Sequence, residues 1–256
     1  MSRIIMQNKK PKIALIGYGA MGKEIEKIAM NNKYIITDIF EIDNKISASK
    51  KYDFDVAIDF GFSESVKENV EILCSLKKNI VIGTTGWYNQ IDDLRKIVEK
   101  NNIGCIYGSN FSIGIQIFQR ILELSSKLIN KIPGYDIFIN ELHHKRKKDS
   151  PSGTALTLAN IILKNVESKN EIFTDRCNDK ISPEQLHVAS VRGGELAGTH
   201  TVFLDSFSDT IELTHRAKNR TAFAEGAVSA AQWIFRKKGF FTFEQMLNEL
   251  WEDIDA

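Results

Sequence analysis

Apolar residues fall along this chain in two alternating rhythms. Short runs at Lys12–Ile16, Tyr34–Phe40, Val56–Phe60, Asn79–Gly83 and Gly104–Tyr107 read as buried strands. Between them, residues 23–30, Ser63–Leu76 and Ile91–Lys100 carry apolar side chains at the three- and four-residue spacing of helices packed on one face. Strands that alternate with helices predict an α/β fold, a Rossmann-like doubly wound parallel sheet with helices on both faces. After Ser112 the rhythm changes. A long helix is predicted over Ile113–Asn130, stopped by Pro133-Gly134. Strands follow at Tyr135–Leu142, Leu186–Arg192, Thr199–Asp205 and Asp209–Ala217, the last two joined as an antiparallel hairpin by Ser206-Phe207-Ser208. A helix starting near Ser152 shows Ala155, Leu158, Ala159, Ile162 and Val166 on one side. This half predicts a second α+β domain built on a mixed, largely open sheet. An alanine-rich helix over Thr221–Lys238, ended by Gly239 as its cap, is expected to return to the first domain. The expected division is therefore 1–112 plus 221–256 against 113–220, with hinges near 112 and 220.

The first strand runs into Gly17-Tyr18-Gly19-Ala20-Met21-Gly22 and then a helical pattern at Ile25, Ile28 and Ala29. Strand, G-x-G-x-x-G and helix in that order give the glycines physical work. Gly17 permits a tight turn, Gly19 lets the backbone approach a pyrophosphate, and Gly22 allows close packing of helix on strand. Glu41 ends the second strand about 20 residues further on, where an acid accepts hydrogen bonds from ribose hydroxyls; Asp38 and Asp43 are its neighbours and rivals. A cofactor with a 2′-phosphate would want a cation there, and Ile42 stands in that place. The expectation is NADH in preference to NADPH, with Lys45 the nearby cation that argues the other way. Three loops at the carboxyl ends of later strands, Gly61-Phe62-Ser63, Gly83-Thr84-Thr85-Gly86 and Gly108-Ser109-Asn110-Phe111, are rich in small hydrogen-bonding residues and fit a nicotinamide resting along that edge.

The densest chemistry lies in E-L-H-H-K-R-K-K-D-S-P-S-G-T, Glu141 to Thr154. Imidazoles titrate near neutrality, lysine supplies a standing cation, and a helix start at Ser152 offers unpaired N–H groups to a carboxylate, with Gly153 leaving the approach open. Singly, these residues would read as a solvated basic loop and an ordinary helix cap. Together they suit proton transfer to a small, multiply charged anion.

Composition narrows the setting. A net charge of +1 over 256 residues gives no general attraction to nucleic acid or to an anionic membrane, so any role for positive charge is local, as at 145–148. Cys74, Cys105 and Cys177 lie far apart without C-x-x-C spacing, against a disulfide framework or a structural zinc site. No apolar stretch approaches a membrane span and residues 1–11 lack the core of a secretion signal, so a cytoplasmic protein is expected.

The glycine loop, G-T-T-G, S-N-F-S-I-G and above all H-H-x-x-K-x-D-x-P-S-G-T-A, with V-R-G-G-E-L-A-G-T-H and I-E-L-T-H-R-A beyond, closely resemble the 4-hydroxy-tetrahydrodipicolinate reductase (dihydrodipicolinate reductase) family across nearly the whole chain. The resemblance implies the reductive step of lysine and diaminopimelate synthesis, a dianionic heterocyclic substrate, NADH or NADPH as cofactor, and a homotetramer formed through 113–220. By the same resemblance His143 is the proton donor or acceptor and Lys147 a second proton donor. His144, Gly153 and Thr154 are the clamp on the substrate carboxylates. The cofactor contacts are Gly17, Gly19, Ala20, Met21, Gly22, Glu41, Gly83, Thr84, Thr85, Gly108, Ser109, Asn110 and Phe111. Three departures bear on cofactor choice: a glycine loop one residue shorter than in many members, Ile42 where arginine is common, and Gly61-Phe62 in place of a threonine-containing turn.

Other readings are weaker. A related two-domain dehydrogenase acting on an amino acid or sugar would share the glycine loop but gives no reason for the H-H-x-x-K run. A cofactor-binding sensor gripping nucleic acid would call for more basic surface. Metal binding through His143, His144, His187, His200 and His215 finds no support in their spacing, and no metal is expected.

Overall fold

A computed structural model describes residues 9–175 and 179–251, so Cys177 lies outside the described residues. The chain divides into two compact units, one running to Ile113 and resuming at Arg220, the other Gly114–Asn219.

The first unit holds β1 (Lys12–Ile16), α1 (Ala20–Asn31), β2 (Ile35–Phe40), β3 (Val56–Asp59), α2 (Val66–Ser75), β4 (Asn79–Ile82), α3 (Ile91–Asn101) and β5 (Gly104–Tyr107). The second holds α4 (Ile113–Ile129), β6 (Asp136–His143), α5 (Gly153–Asn165), β7 (Glu171–Phe173), β8 (Gln185–Arg192), β9 (Thr199–Asp205) and β10 (Thr210–Arg216). The chain then returns to the first unit with α6 (Thr221–Ile234), β11 (Gly239–Thr242) and α7 (Phe243–Trp251).

All strands of the first sheet are parallel, in the order β11-β5-β4-β3-β1-β2. Successive side chains of a strand point to opposite faces, and the core divides accordingly. Ile13, Leu15, Val56, Ile58, Val81 and Ile106 pack toward α1, α6 and α7, whereas Ala14, Ile80, Ile82 and Cys105 pack toward α2 and α3. Strand order reverses at β1, with β2 on one side and β3 on the other. In parallel sheets of this kind the crevice beyond the carboxyl ends at such a reversal is where ligands bind.

The end of the chain corrects the sequence expectation. Helix α6 stops at Ile234, not Lys238, and Gly239 is no helix cap: it opens β11, with φ +119° and its N–H on the Ile103 carbonyl at 3.0 Å. The buried Asn79 side chain explains the early stop. Its Nδ2 donates to the carbonyls of Ile234 (2.7 Å) and Lys237 (3.2 Å), and its Oδ1 accepts from Gly104 N (2.8 Å). Carbonyls left open at the helix end are thus satisfied from the sheet, and Phe240 enters the α2/α3 core beside β5.

The second unit is a mixed sheet in the order β10-β9-β6-β8-β7, with β6, β8 and β7 parallel and β9 and β10 antiparallel to their neighbours. Helices α4 and α5 cover one face through Phe118, Leu122, Leu158 and Ile162, against Ile137, Ile139, Val188 and Val202. Strand β7 is an addition that the sequence pattern did not predict.

Candidate active site

The glycine loop adopts the geometry its spacing requires. Gly17 has φ +85°, and a Cβ there would sit 2.7 Å from the Phe60 carbonyl oxygen; a Cβ on Gly22 would sit 2.3 Å from the Gly17 carbonyl oxygen. Both positions exclude any other residue. Gly19 is different: nothing lies within 4 Å of its missing Cβ, it caps α1 without a side-chain hydrogen bond, and no acid stands in the first turn of the helix. An open helix start with unpaired N–H groups suits a pyrophosphate. Beside it a cleft of about 680 Å³ runs along the carboxyl ends of β1, β2 and β3, lined by Gly17, Gly19, Glu41, Ile42, Gly61 and Phe62 among others. That volume is in the range of small-molecule sites. The residues present therefore fit the adenosine end of a dinucleotide.

Glu41 exchanges both backbone hydrogen bonds with Asn44, which turns Ile42 and Asp43 outward at the rim. Asp38 does not line the cleft, whereas Asp43 and Lys45 do. Ala20 and Met21 begin α1. The segments Gly83–Thr85 and Gly108–Phe111 follow β4 and β5 on the same sheet edge but do not line the cleft. Their side chains divide in use. Thr85 and Ser109 are exposed, Thr84 donates inward to Asp59 Oδ1 at 3.1 Å, Asn110 Oδ1 accepts from Ser112 N, and Phe111 is a core residue packed on Phe243 at 4.6 Å.

Asp59 was not among the expected residues. It is fully buried at the end of β3 and accepts from Gly61 N (2.8 Å), Asn69 Nδ2 (2.9 Å) and Thr84 Oγ1, joining the loops after β3 and β4 to α2. Burial raises its pKa against the opposing pull of those donors.

In the second unit the basic stretch is organised around Glu141, also missed by the sequence reading. On β6 its carboxylate is completely buried, yet both oxygens are engaged. Oε1 accepts from Ser152 N (2.9 Å), Ser190 Oγ (2.9 Å) and Arg192 Nη2 (2.6 Å), and Oε2 from Ser152 Oγ (2.5 Å). Burial alone would raise its pKa, but the donors His200, Ser152 and Arg192 hold it well below the usual carboxylate range. The hub fixes what surrounds it. Ser152 Oγ also caps α5 by accepting from Ala155 N at 3.1 Å, so the carboxylate anchors the start of that helix directly. Nothing lies within 4 Å of the missing Cβ of Gly153, which leaves the helix start accessible; Thr154 follows it, partly buried.

His143 is buried next to this carboxylate, Nδ1 3.5 Å from Glu141 Oε2, with no hydrogen-bond partner for Nδ1. Burial lowers its pKa to about 4; Glu141 pulls upward, while the charges of His200, Lys147 and Arg192 add to the lowering. The imidazole is therefore neutral near pH 7. The nearby carboxylate favours the proton on Nδ1, leaving Nε2 as the accepting nitrogen. On the Nε2 side stands Gly198, φ +145°, whose Cβ would lie 2.9 Å from that nitrogen. Any side chain at 198 would cover the reactive edge.

Lys147 forms an ion pair with Asp149 at 2.8 Å. Asp149 has its pKa lowered, first by Lys147 and also by the backbone of Gly153, and its carbonyl accepts from Arg192 Nη2 at 2.7 Å. His144 is held by its backbone N–H on the Leu196 carbonyl (2.9 Å), and its Nδ1 is buried without a partner. Glu141, His143 and His200 also bring ligand-type atoms within 4.8 Å of one another. Both carboxylate oxygens are already hydrogen-bonded and a guanidinium stands at 2.6 Å, so this cluster is built as a hydrogen-bond hub and a cation would meet like charge. Of the missed residues, Arg192, Gly198 and His200 lie in V-R-G-G-E-L-A-G-T-H, a motif that was visible without any role attached.

Two family models match the chain: dihydrodipicolinate reductase, N-terminus, over residues 11–111, and dihydrodipicolinate reductase, C-terminus, over residues 114–247. A 4-hydroxy-tetrahydrodipicolinate reductase of Christiangramia forsetii is 39% identical over 246 residues, covering 94% of this chain and 99% of the relative. One from Archaeoglobus fulgidus is 42% identical over 204 residues, 77% of each chain. Among solved structures, a dipicolinate-bound dihydrodipicolinate reductase from Paenisporosarcina sp. TG-14 aligns with a TM-score of 0.74 at 22% identity, over 93% of this chain and 99% of that one, a likeness of fold.

Proposed function

Because this chain belongs to the dihydrodipicolinate reductase family, we propose that His143, Lys147 and the start of α5 carry out the NAD(P)H-dependent reduction of 4-hydroxy-tetrahydrodipicolinate to tetrahydrodipicolinate. The protein is an oxidoreductase of lysine and diaminopimelate biosynthesis. The single observation that carries the residue assignment is the Glu141 hub, which ties the H-H-x-x-K stretch and the α5 start into one cluster inside the second unit.

Reduction with loss of the 4-hydroxyl adds one hydride and one proton and releases water. The reduced nicotinamide, when bound, supplies the hydride. Gly153 and Thr154 at the α5 start, with His144, hold the substrate carboxylates, and the unpartnered Nδ1 of His144 supports that use. Loss of water removes the hydroxyl and one ring proton: His143, neutral with Nε2 as the acceptor, takes that proton and returns it to the departing hydroxyl, while Lys147 leaves Asp149 for the incoming anion and gives the ring the proton that accompanies the hydride. On this reading residues 1–112 with 221–256 bind the dinucleotide, and 113–220 bind the substrate and assemble the oligomer. Glu41 with Ile42 at the cleft rim supports NADH over NADPH.

A homotetramer through the second unit is supported by its open sheet, whose edge strand β10 and exposed Ile211 and Phe207 are left for another copy. No helix among the described residues is long and apolar enough to cross a membrane. Cys74 and Cys105 are free and buried, and these unpaired thiols support a reducing, cytoplasmic setting.

The test supplies purified protein with pyruvate, aspartate semialdehyde and the preceding synthase, and follows loss of NADH or NADPH absorbance. Turnover is expected, with His143→Ala and Lys147→Ala each lowering kcat by about 10² or more while NADH binding is retained. No oxidation of either cofactor overturns the activity, and undiminished kcat in both variants overturns the residue roles.

A further inference from the structure

The cleft beside the glycine loop has a second wall that the family motifs do not mention. Opposite the β2 rim stand Glu64, in the short 3-10 turn before α2, and Glu68, in the first turn of that helix; both are exposed and both line the cleft. With Glu41 and Asp43 they make four carboxylates among the described residues of the lining, against the one ammonium of Lys45. We infer that Glu64 and Glu68 are determinants of cofactor selectivity, a negative wall that turns away the 2′-phosphate of NADPH while leaving the uncharged ribose of NADH unopposed. The inference rests on the dinucleotide reading of this cleft given above.

Two physical arguments support the assignment. The start of α2 would otherwise be an attractive place for a phosphate, since its unpaired N–H groups and the helix dipole favour negative charge. Glu68 in the first turn places a carboxylate there already, and Glu64 adds another just before it. The remaining approach is apolar: Ile42 is 67% exposed and Phe62 61% exposed on the same lining, side chains that can cover an adenine face but cannot pair with phosphate. A doubly charged phosphate entering the cleft would give up water for carboxylates and hydrocarbon, with one lysine in compensation.

The experiment compares kcat/KM for NADPH and NADH in the full-length enzyme and in Glu68→Lys and Glu64→Lys/Glu68→Lys, together with calorimetric binding of NADP⁺ and NAD⁺. Each reversal in a water-facing cleft is expected to raise the NADPH:NADH ratio about three- to tenfold, nearly all of it through NADPH. Raising salt to about 0.5 M should shrink the wild-type discrimination, because exposed charges are screened. Glu99→Lys, on the exposed surface of α3 and away from the lining, should leave the ratio where it was. If NADH is oxidised and bound normally but the ratio stays fixed in both cleft variants, this proposal alone fails. If neither cofactor is bound, the dinucleotide reading fails and takes the proposal with it.

Discussion

Glu141 shows how little a buried charge advertises itself in sequence. In D-I-F-I-N-E-L-H the alternation sets Glu141 in phase with Ile137, Ile139 and His143, but Phe138 and Leu142 make the other face apolar too, so the pattern does not say which face is buried or that the acid lies on it. Only the neighbours brought from β8, β9 and the turn before α5 reveal that it faces donors on every side. The glycine loop was legible for the opposite reason: each constraint there is local, so spacing alone assigns Gly17, Gly19 and Gly22 their roles. For Glu141→Gln the expected loss is about 3–5 kcal/mol, since one partner of a buried pair is removed and the Arg192 guanidinium is left behind. Urea unfolding at pH 7 measures it. A carboxyl whose folded pKa is depressed contributes stability that is present above its unfolded pKa, about 4.5, and is lost as pH falls through the folded value. The deficit of the variant should therefore narrow below pH 4.5. A variant as stable as the wild type at pH 7 would mean that the carboxylate is no hub.

At the scale of elements, segments with a clear apolar run or period were readable, the four-residue strands β3, β4 and β5 among them, and two short strands without one were not. Helix α4 and strands β8 and β9 lie within a residue or so of their predicted bounds. Strands β7 and β11 each carry only two adjacent apolar residues, in E-I-F and G-F-F-T, and their pairing partners β8 and β5 are what make them strands. Helix α6 offers a sharper test, because one of its residues sets propensity against packing. Alanine is worth up to about 1 kcal/mol more than glycine inside a helix, so Gly226→Ala should stabilise if nothing else touches it. A Cβ at 226, however, would lie 1.7 Å from the Phe111 carbonyl oxygen, which is backbone and cannot swing aside. The expected outcome is a loss of about 2–3 kcal/mol, read as a lower urea midpoint at unchanged slope. A gain in stability would contradict this helix-to-loop contact.

For the whole molecule, the fold class could be read from the alternation of strands and helices, whereas the chemistry of the second unit could be read only as a cluster of residue types. The difference is one of range. Parallel sheets announce themselves through segments close in sequence, while the Glu141 cluster draws on residues from 141 to 200. The return of α6, β11 and α7 to the first sheet has one more consequence. Val81, Ile106 and Phe111 are covered by side chains such as Ala227, Ala231, Phe243 and Met246, which lie beyond the entire second unit. A fragment ending at Ile113 should expose that apolar face, bind a hydrophobic dye and self-associate on size exclusion; a monomeric, cooperatively unfolding fragment would refute this. On the ribosome, at roughly 5–20 residues per second, the amino-terminal half must then wait for a time on the order of ten seconds with one side of its sheet bare. Throughout that interval the nascent polypeptide is a natural client for whatever chaperone guards the exit tunnel.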